Sequence, residues 1–177
     1  MTQVLLITQT DFTKYEDINV NINAVKKLDP YIYQAQFIDL KGILGEELYY
    51  DIIADAQASP AFAKYAALMN GSTYTKDNHS YTHEGLKPVI CYFAHSRYIL
   101  NKNDNDTAYG LTQKKTEFSE PSPEKALIRK ADYSNSVANA YLVPVIKFLN
   151  DNTADYSLWK SNCSKSKVKQ TRRISAI

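Results

Sequence analysis

The sequence predicts a mainly α fold: a helical bundle with a short β-hairpin-like insertion and an extended arm between helices. Three observations predict it. Apolar residues recur three and four apart over long stretches, as in Leu44, Leu48, Ile52 and Ala56, which is the period of a helix with one buried face. Glycine is scarce, at 5 in 177 residues, too few for a sandwich or barrel full of tight turns. Two polar, threonine-rich stretches, 71–85 and 107–120, break the helical period and roughly alternate, which is the pattern of extended chain.

Taken in order, "QVLLIT" (3–8) reads as a short strand or a buried N-terminal segment. Thr10 and Asp11 can cap a short turn of helix, "DFTKYEDI". Ile22 and Val25 share one face, with Leu28 beyond them. Asp29-Pro30 restarts the helix, Asp29 as N-cap and Pro30 at the first helical position. Ile32, Ala35, Phe37 and Ile38 then carry an apolar stripe that runs to Gly42. The next helix stacks Leu44, Leu48, Ile52 and Ala56 on one face, with Glu46 and Glu47 in the first turn, where the dipole favours acids. Ser59-Pro60 punctuates, and "PAFAKYAALMN" makes a short helix ended by Asn70-Gly71.

Residues 71–85 have a hairpin flavour: Thr73 and Thr75 face Ser80 and Thr82 across "KDNH". From Leu86 a strong helix carries Val89, Ile90, Phe93, Arg97 and Leu100, ending in "NKNDNDT". Ser122-Pro123 starts the longest helix, about 123–150, with an apolar face of Val137, Tyr141, Val145 and Phe148. Ala138 and Ala140 leave room for a close neighbour, and Pro144 should kink or distort the helix. A last short helix holds "DYSLWKS". No internal repeat stands out, so residues 1–157 form a single helical domain and 158–177 a basic C-terminal tail, loose in isolation.

The apolar fraction, 44%, is that of a folded chain. The N-terminal run "VLLI" is too short for a secretory leader and lacks a basic flank, and no stretch approaches membrane-spanning length. The 14 tyrosines suit surfaces buried against another protein, or half-buried packing within one. Net charge is +2, unevenly placed. The tail holds Lys165, Lys167, Lys169, Arg172 and Arg173 and no acid from Ser161 onward, so removing those five charges leaves the body at −3. Such a tail docks on an acidic protein surface or touches nucleic acid non-specifically.

Motifs for chemistry are weak. His79, His83 and Glu84 lie close in "HSYTHE", but their neighbours do not build the helix that a two-histidine metal site would need. Cys91 and His95 stand four apart on a trusted helix, two ligands without an obvious third, and core packing explains Cys91 better. "NKNDNDTAYGLT" lacks the glycine and closing glutamate of a calcium loop. No phosphate loop, dinucleotide fingerprint or nucleophile elbow is found. Arg97, on the apolar side of its helix, is a buried ion-pair residue or a snorkelling one. The expectation is no enzyme, no cofactor and no metal.

The arm "TAYGLTQKKTEFSE" (107–120) poses a question, because extended backbone needs hydrogen-bond partners. The Thr-rich hairpin is the natural acceptor, in the same chain or a neighbouring one.

Four pieces carry a resemblance: "YIYQAQFIDLKGILGEELYYDI" (31–52), "GLKPVICYFAHSRYIL" (85–100), "TAYGLTQKKTEFSEP" (107–121) and "NSVANAYLVPVIKFL" (135–149). The chain resembles the head–tail connector (adaptor) proteins of tailed bacteriophages, in the Bacteroidetes and crAss-like branch, over about residues 1–150. The first piece is similar to the family's entry helix, with its Leu-Gly step before a Tyr-rich helix. Thr107, Gly110, Leu111 and Lys114 look like its link between central helices. The resemblance implies a structural virion protein, made in the host cytoplasm and placed at the head–tail interface. It implies a ring homo-oligomer, commonly a dodecamer, contacting the portal and the next tail or ring protein, with DNA in its channel and no membrane. Candidate subunit contacts are then Thr107, Tyr109, Gly110, Leu111, Lys114, Thr73, Tyr74 and Tyr81. The five tail cations are the candidate docking residues. The alternative is a small helical DNA-associated protein working through that tail.

Overall fold

The computed structural model describes residues 3–16, 28–101, 104–107, 110–113 and 123–160. Expectations for 17–27, 114–122 and the tail from 161 onward lie outside these residues. The described chain opens in an extended segment that forms no strand. Leu6 and Ile7 are buried, and a side chain satisfies the backbone around them. The Leu6 N–H donates to Gln36 Oε1 at 3.0 Å, and Gln36 Nε2 donates to the Val4 carbonyl at 2.6 Å. A primary amide offers the same donor and acceptor as a peptide, so this fully buried glutamine stands in for a neighbouring strand. Helix α1 (Gln9–Phe12) starts earlier than Thr10 and Asp11 suggest. Thr8 is its N-cap, and Thr8 and Asp11 bond each other's backbone in a capping box.

Helix α2 (Asp29–Gln34), a π-helix (Ala35–Leu40) and α3 (Lys41–Leu44) form one continuous run. Its N-cap is Leu28 rather than Asp29, which moves Pro30 one place further in, and the run passes Gly42. The π turn, closed by the Lys41 N–H on the Gln36 carbonyl, adds a residue to the α period. This corrects the expected stripe. Ile32 and Ala35 are buried, but the phase then slips: Gln36 and Leu40 turn inward while Phe37 and Ile38 turn out. Helix α4 (Glu46–Ala56) buries Leu48 and Ile52 in line with Leu44, with Glu46 and Glu47 in its first turn. Of the stretch that follows, α5 (Ala66–Asn70) alone is helical. The turns before it are held by the Asp55 carboxylate, which accepts from the Lys64 and Tyr65 N–H groups.

Strands β1 (Ser72–Lys76) and β2 (His79–His83) pair in the expected register, Thr73 opposite Thr82 and Thr75 opposite Ser80. Asp77 and Asn78, both at positive φ, make the two-residue turn that matches strand twist. Gly71 and Gly85 close the hairpin's base at positive φ. A Cβ on Gly71 would fall 2.5 Å from the His83 carbonyl oxygen, and one on Gly85 2.5 Å from that of Met69.

Helix α6 (Leu86–Asn101) is the middle layer. Leu86, Val89, Ile90 and Phe93 are buried as their period predicts, but so are Cys91, Ala94, His95, Ser96 and Ile99, because neighbours cover it on both sides. The longest helix, Glu124–Asp151, packs along one side, and α2 with the π-helix covers the other. The expected buried face of that long helix is corrected. Ala131, Ser134, Ala138, Leu142, Val145, Phe148 and Leu149 are buried, while Val137 and Tyr141 are half-buried and Ala140 is exposed. The helix stays unbroken through Pro144. Among the described residues of "DYSLWKS", 155–160, no helix forms and the chain passes through turns. Tyr156 and Trp159 still join the core, and Trp159 Nε1–H donates to Asn150 Oδ1 at 2.8 Å. The packed body therefore reaches at least to Trp159, two residues past the expected boundary.

The arm finds its partner next door. Strand β3 (Asp104–Thr107) pairs antiparallel with β4 (Gly110–Gln113), Thr107 opposite Gly110 and Asp106 opposite Leu111. The two hairpins are separate sheets, so the described residues of the arm, Thr107 and 110–113, do not pair with the hairpin at 71–85. The end of the polar run "NKNDNDT", Asp104–Thr107, supplies the pairing strand instead. With β3 and β4 placed, the long helix Glu124–Asp151 is α7.

Candidate assembly surface

The phase slip at the π-helix leaves an apolar surface outside. Phe37 is 41%, Ile38 54% and Tyr50 51% exposed, where residues of these types ordinarily sit inside. The rings are held in place. Tyr33 and Phe37 stack at 5.7 Å with 11° between planes. The Lys41 ammonium sits 4.8 Å from the Phe37 ring centre and 5.1 Å from that of Tyr50. It also donates to the Tyr50 hydroxyl at 3.3 Å and pairs with Glu46 at 2.7 Å. Glu46, and then Tyr50, push the Lys41 pKa up and keep it charged. A cation held against two aromatic rings restrains them, and side chains restrained beforehand would lose little further freedom on being covered.

The hairpin residues expected at a subunit contact divide between two faces. Thr73 is exposed and shares a 3.0 Å hydrogen bond with the Thr82 hydroxyl. Tyr74 and Tyr81 are half-buried against the long helix α7. The Tyr74 ring meets Phe148 edge-on at 5.2 Å and lies tilted by 30° against Tyr81 at 5.5 Å, and Lys147 lies 3.4 Å from the Tyr81 ring centre. Below them Asp151 accepts from Tyr74 Oη at 2.9 Å, Lys76 Nζ at 2.7 Å and Lys147 Nζ at 3.0 Å. The two lysines, Lys76 first, hold its carboxyl well below the usual range. Thr107, Gly110 and Leu111 lie in the second hairpin. Tyr109, Lys114 and the tail cations Lys165, Lys167, Lys169, Arg172 and Arg173 lie outside the described residues.

Two of the three histidines, His83 and His95, are buried. His83 is buried, and burial pushes its pKa down. Its Nδ1 accepts from the Gly85 N–H at 3.2 Å and its Nε2 meets Ser72 Oγ at 2.9 Å, the pairing of a neutral ring. His79 is exposed. His95 Nδ1 lies 3.1 Å from both Ser134 Oγ and Glu16 Oε1. A serine and a carboxylate on the same ring nitrogen do not form a relay, which needs one on each. Cys91 is buried, its thiol is pushed up by burial, and its Sγ–H donates to the Phe12 carbonyl. Among the described residues no three His, Cys, Asp or Glu side chains converge on a metal position. Arg97 is the ion-pair residue, gripping Asp39 with Nη2 at 2.8 Å and Nε at 3.1 Å.

Sequence reasoning missed Phe37, Ile38, Lys41 and Tyr50 as surface residues. The signal was an excess. "YIYQAQFIDL" holds more large apolar side chains than one helical face can bury. No helix among the described residues is long and apolar enough to cross a membrane. Residues 40–168 match a family model described as "Family of unknown function (DUF6712)". No curated protein and no solved structure matches the chain.

Proposed function

The chain belongs to DUF6712, a family of unknown function, and we propose that it is a structural virion protein. In this reading it is one subunit of an adaptor ring that joins a bacteriophage portal to the tail and surrounds the DNA exit path. The carrying observation is the exposed platform of Phe37, Ile38 and Tyr50 around Lys41. It falls within the segment 31–52 that resembles the connector family, on the helical body rather than in a loop. Exposed aromatics are the ordinary core of a protein–protein contact. A closed ring requires each subunit to use such surfaces on both neighbours. Portal, adjoining ring protein and the copy alongside are the partners of this reading, and the virion neck is its place.

Electron microscopy of the full chain, alone and mixed with portal rings, tests it. The expected result is a collar of this chain on the portal, lost when Phe37→Ser and Tyr50→Ser are combined while the circular dichroism stays helical. A wild-type chain that never decorates portal sinks the proposal. So does a lone chain whose main activity is duplex binding that falls steeply with salt, since that is the behaviour of a DNA-associated protein acting through its basic tail.

A further inference from the structure

We infer that successive copies of this chain join head to tail, the Phe37–Ile38–Tyr50 platform of one copy seating on the outer face of α7 of the next. The inference rests on the ring reading above in taking the occupant to be a second copy, and adds which two surfaces meet.

Layering places the two surfaces back to back. On α6, Arg97 reaches Asp39 of the π-helix, and Tyr98 meets Tyr31 of α2 at 6.0 Å. His95 reaches Ser134 of α7, and Tyr92 stacks with Tyr141 at 5.7 Å. Arg97 stands two residues beyond His95, about 200° around the helix. The π-helix and α7 therefore cover opposite sides of α6, and their outer faces look in opposite directions. The exposed large hydrophobics among the described residues divide between them: Phe37, Ile38 and Tyr50 on one face, Tyr133 and Val143, each 67% exposed, on the other. Two apolar patches on opposite faces of one subunit suit a heterologous contact, which propagates around a ring. An isologous contact uses one patch twice.

The chemistry of the two faces is complementary. Opposite the buried Ala138, α7 presents Tyr133, Ser136, Ala140 and Val143, all exposed, and it carries no charged residue from Tyr133 to Ile146. Exposed helices are ordinarily charged, and charge depletion marks the centre of an interface. Ser136 and Ala140 are small, so a ridge of Phe37 and Ile38 can come close to the helix backbone there. Pro144 has no N–H, so the Ala140 carbonyl lacks its helical donor. On the platform, the Tyr50 hydroxyl accepts from Lys41 and keeps its own O–H to donate to such an oxygen. At the rims, Glu46 and Glu47 beside the platform are paired with Lys41 and Lys160 of their own chain, and the N-terminal end of the α7 face carries the exposed Arg129, Lys130 and Asp132, so each rim presents both signs of charge around its apolar centre.

Cysteine cross-linking of the full chain decides the matter. In a Cys163→Ser background, with Cys91 buried and inert, Ile38→Cys and Val143→Cys are made singly and together and treated with a short bis-maleimide, with and without portal rings. The expected result is a covalent dimer when the two single variants are mixed, none from either alone, and a ladder of multimers from the double variant. Adding Ala140→Glu to the double variant should abolish the ladder and leave helicity unchanged. Self-dimers of either single variant overturn the pairing. Collars on the portal with no Ile38–Val143 cross-link overturn it while leaving the ring reading intact. A ladder in solution with no portal decoration does the reverse. No cross-link and no collar removes both.

Discussion

Replacing Gln36 with leucine removes the carboxamide that stands in for a strand beside the N-terminal segment. Gln36 is fully buried and bonds the Leu6 N–H and the Val4 carbonyl. Leucine fills similar volume and can make neither bond. The Leu6 N–H is then left buried and unpaired, at a cost of about 1–3 kcal/mol. The Val4 carbonyl is half-exposed and can turn to water, losing about 1 kcal/mol. The added apolar burial returns roughly 1 kcal/mol, so the net loss is about 1–3 kcal/mol. With a urea slope of about 2–3 kcal/mol per molar for a chain of this size, the unfolding midpoint falls by roughly 1 M. Gln36→Glu separates the two bonds, since it keeps an acceptor for Leu6 and sets an oxygen against the Val4 carbonyl. Urea melts followed by circular dichroism give the midpoint, and hydrogen exchange at the Leu6 amide localises the effect. A midpoint shift under about 0.2 M, or unchanged Leu6 protection, would refute the reasoning.

Three other perturbations follow from the same contacts. Arg97→Met strips the guanidinium from Asp39, whose pKa burial already raises, and should cost about 1–3 kcal/mol near neutral pH. Because a raised carboxyl pKa contributes stability at low pH and loses it as pH rises through the folded value, the variant should recover stability on acidification toward pH 4. Adding Asp39→Leu should recover it at neutral pH, and urea melts at the two pH values check both. Asp151→Asn should lower amide protection in β1. The wild-type carboxyl is held below its ordinary 3.8, so the bonds of Asp151 stabilise the fold above that pH and fade as pH falls below it. The variant should lose less stability between neutral pH and pH 2. Tyr65 is buried, and burial, then its bond to Asp51, raises its pKa from 10.0 to about 12. The unfolded phenol ionises first, so the fold loses stability from pH 10 to about 12. Tyr65→Phe should flatten that loss in alkaline melts.

Local features were legible in the sequence. The hairpin register of 71–85 is set by a two-residue turn and a period of two, both confined to fifteen consecutive residues. Leu44, Leu48 and Ile52 announce their helix through spacing alone. Features fixed by partners distant in sequence were not. Arg97 needed Asp39, 58 residues away, before its two readings could be separated. The strand at 104–107 has one strand-forming residue, Thr107, after three that disfavour strands, and pairing with 110–113 is what defines it.

The sequence by itself determined where the long helices run, where the first hairpin turns, and that more apolar surface exists near residues 31–40 than one face can hide. Tertiary structure alone decided which side chains were left outside. Gln36 is drawn inward by a backbone 30 residues earlier, the π turn shifts the phase around it, and Phe37 and Ile38 are turned out. The physical reason is that spacing fixes a helix's faces relative to one another, while the choice of buried face is a competition between burying apolar area and satisfying distant polar groups.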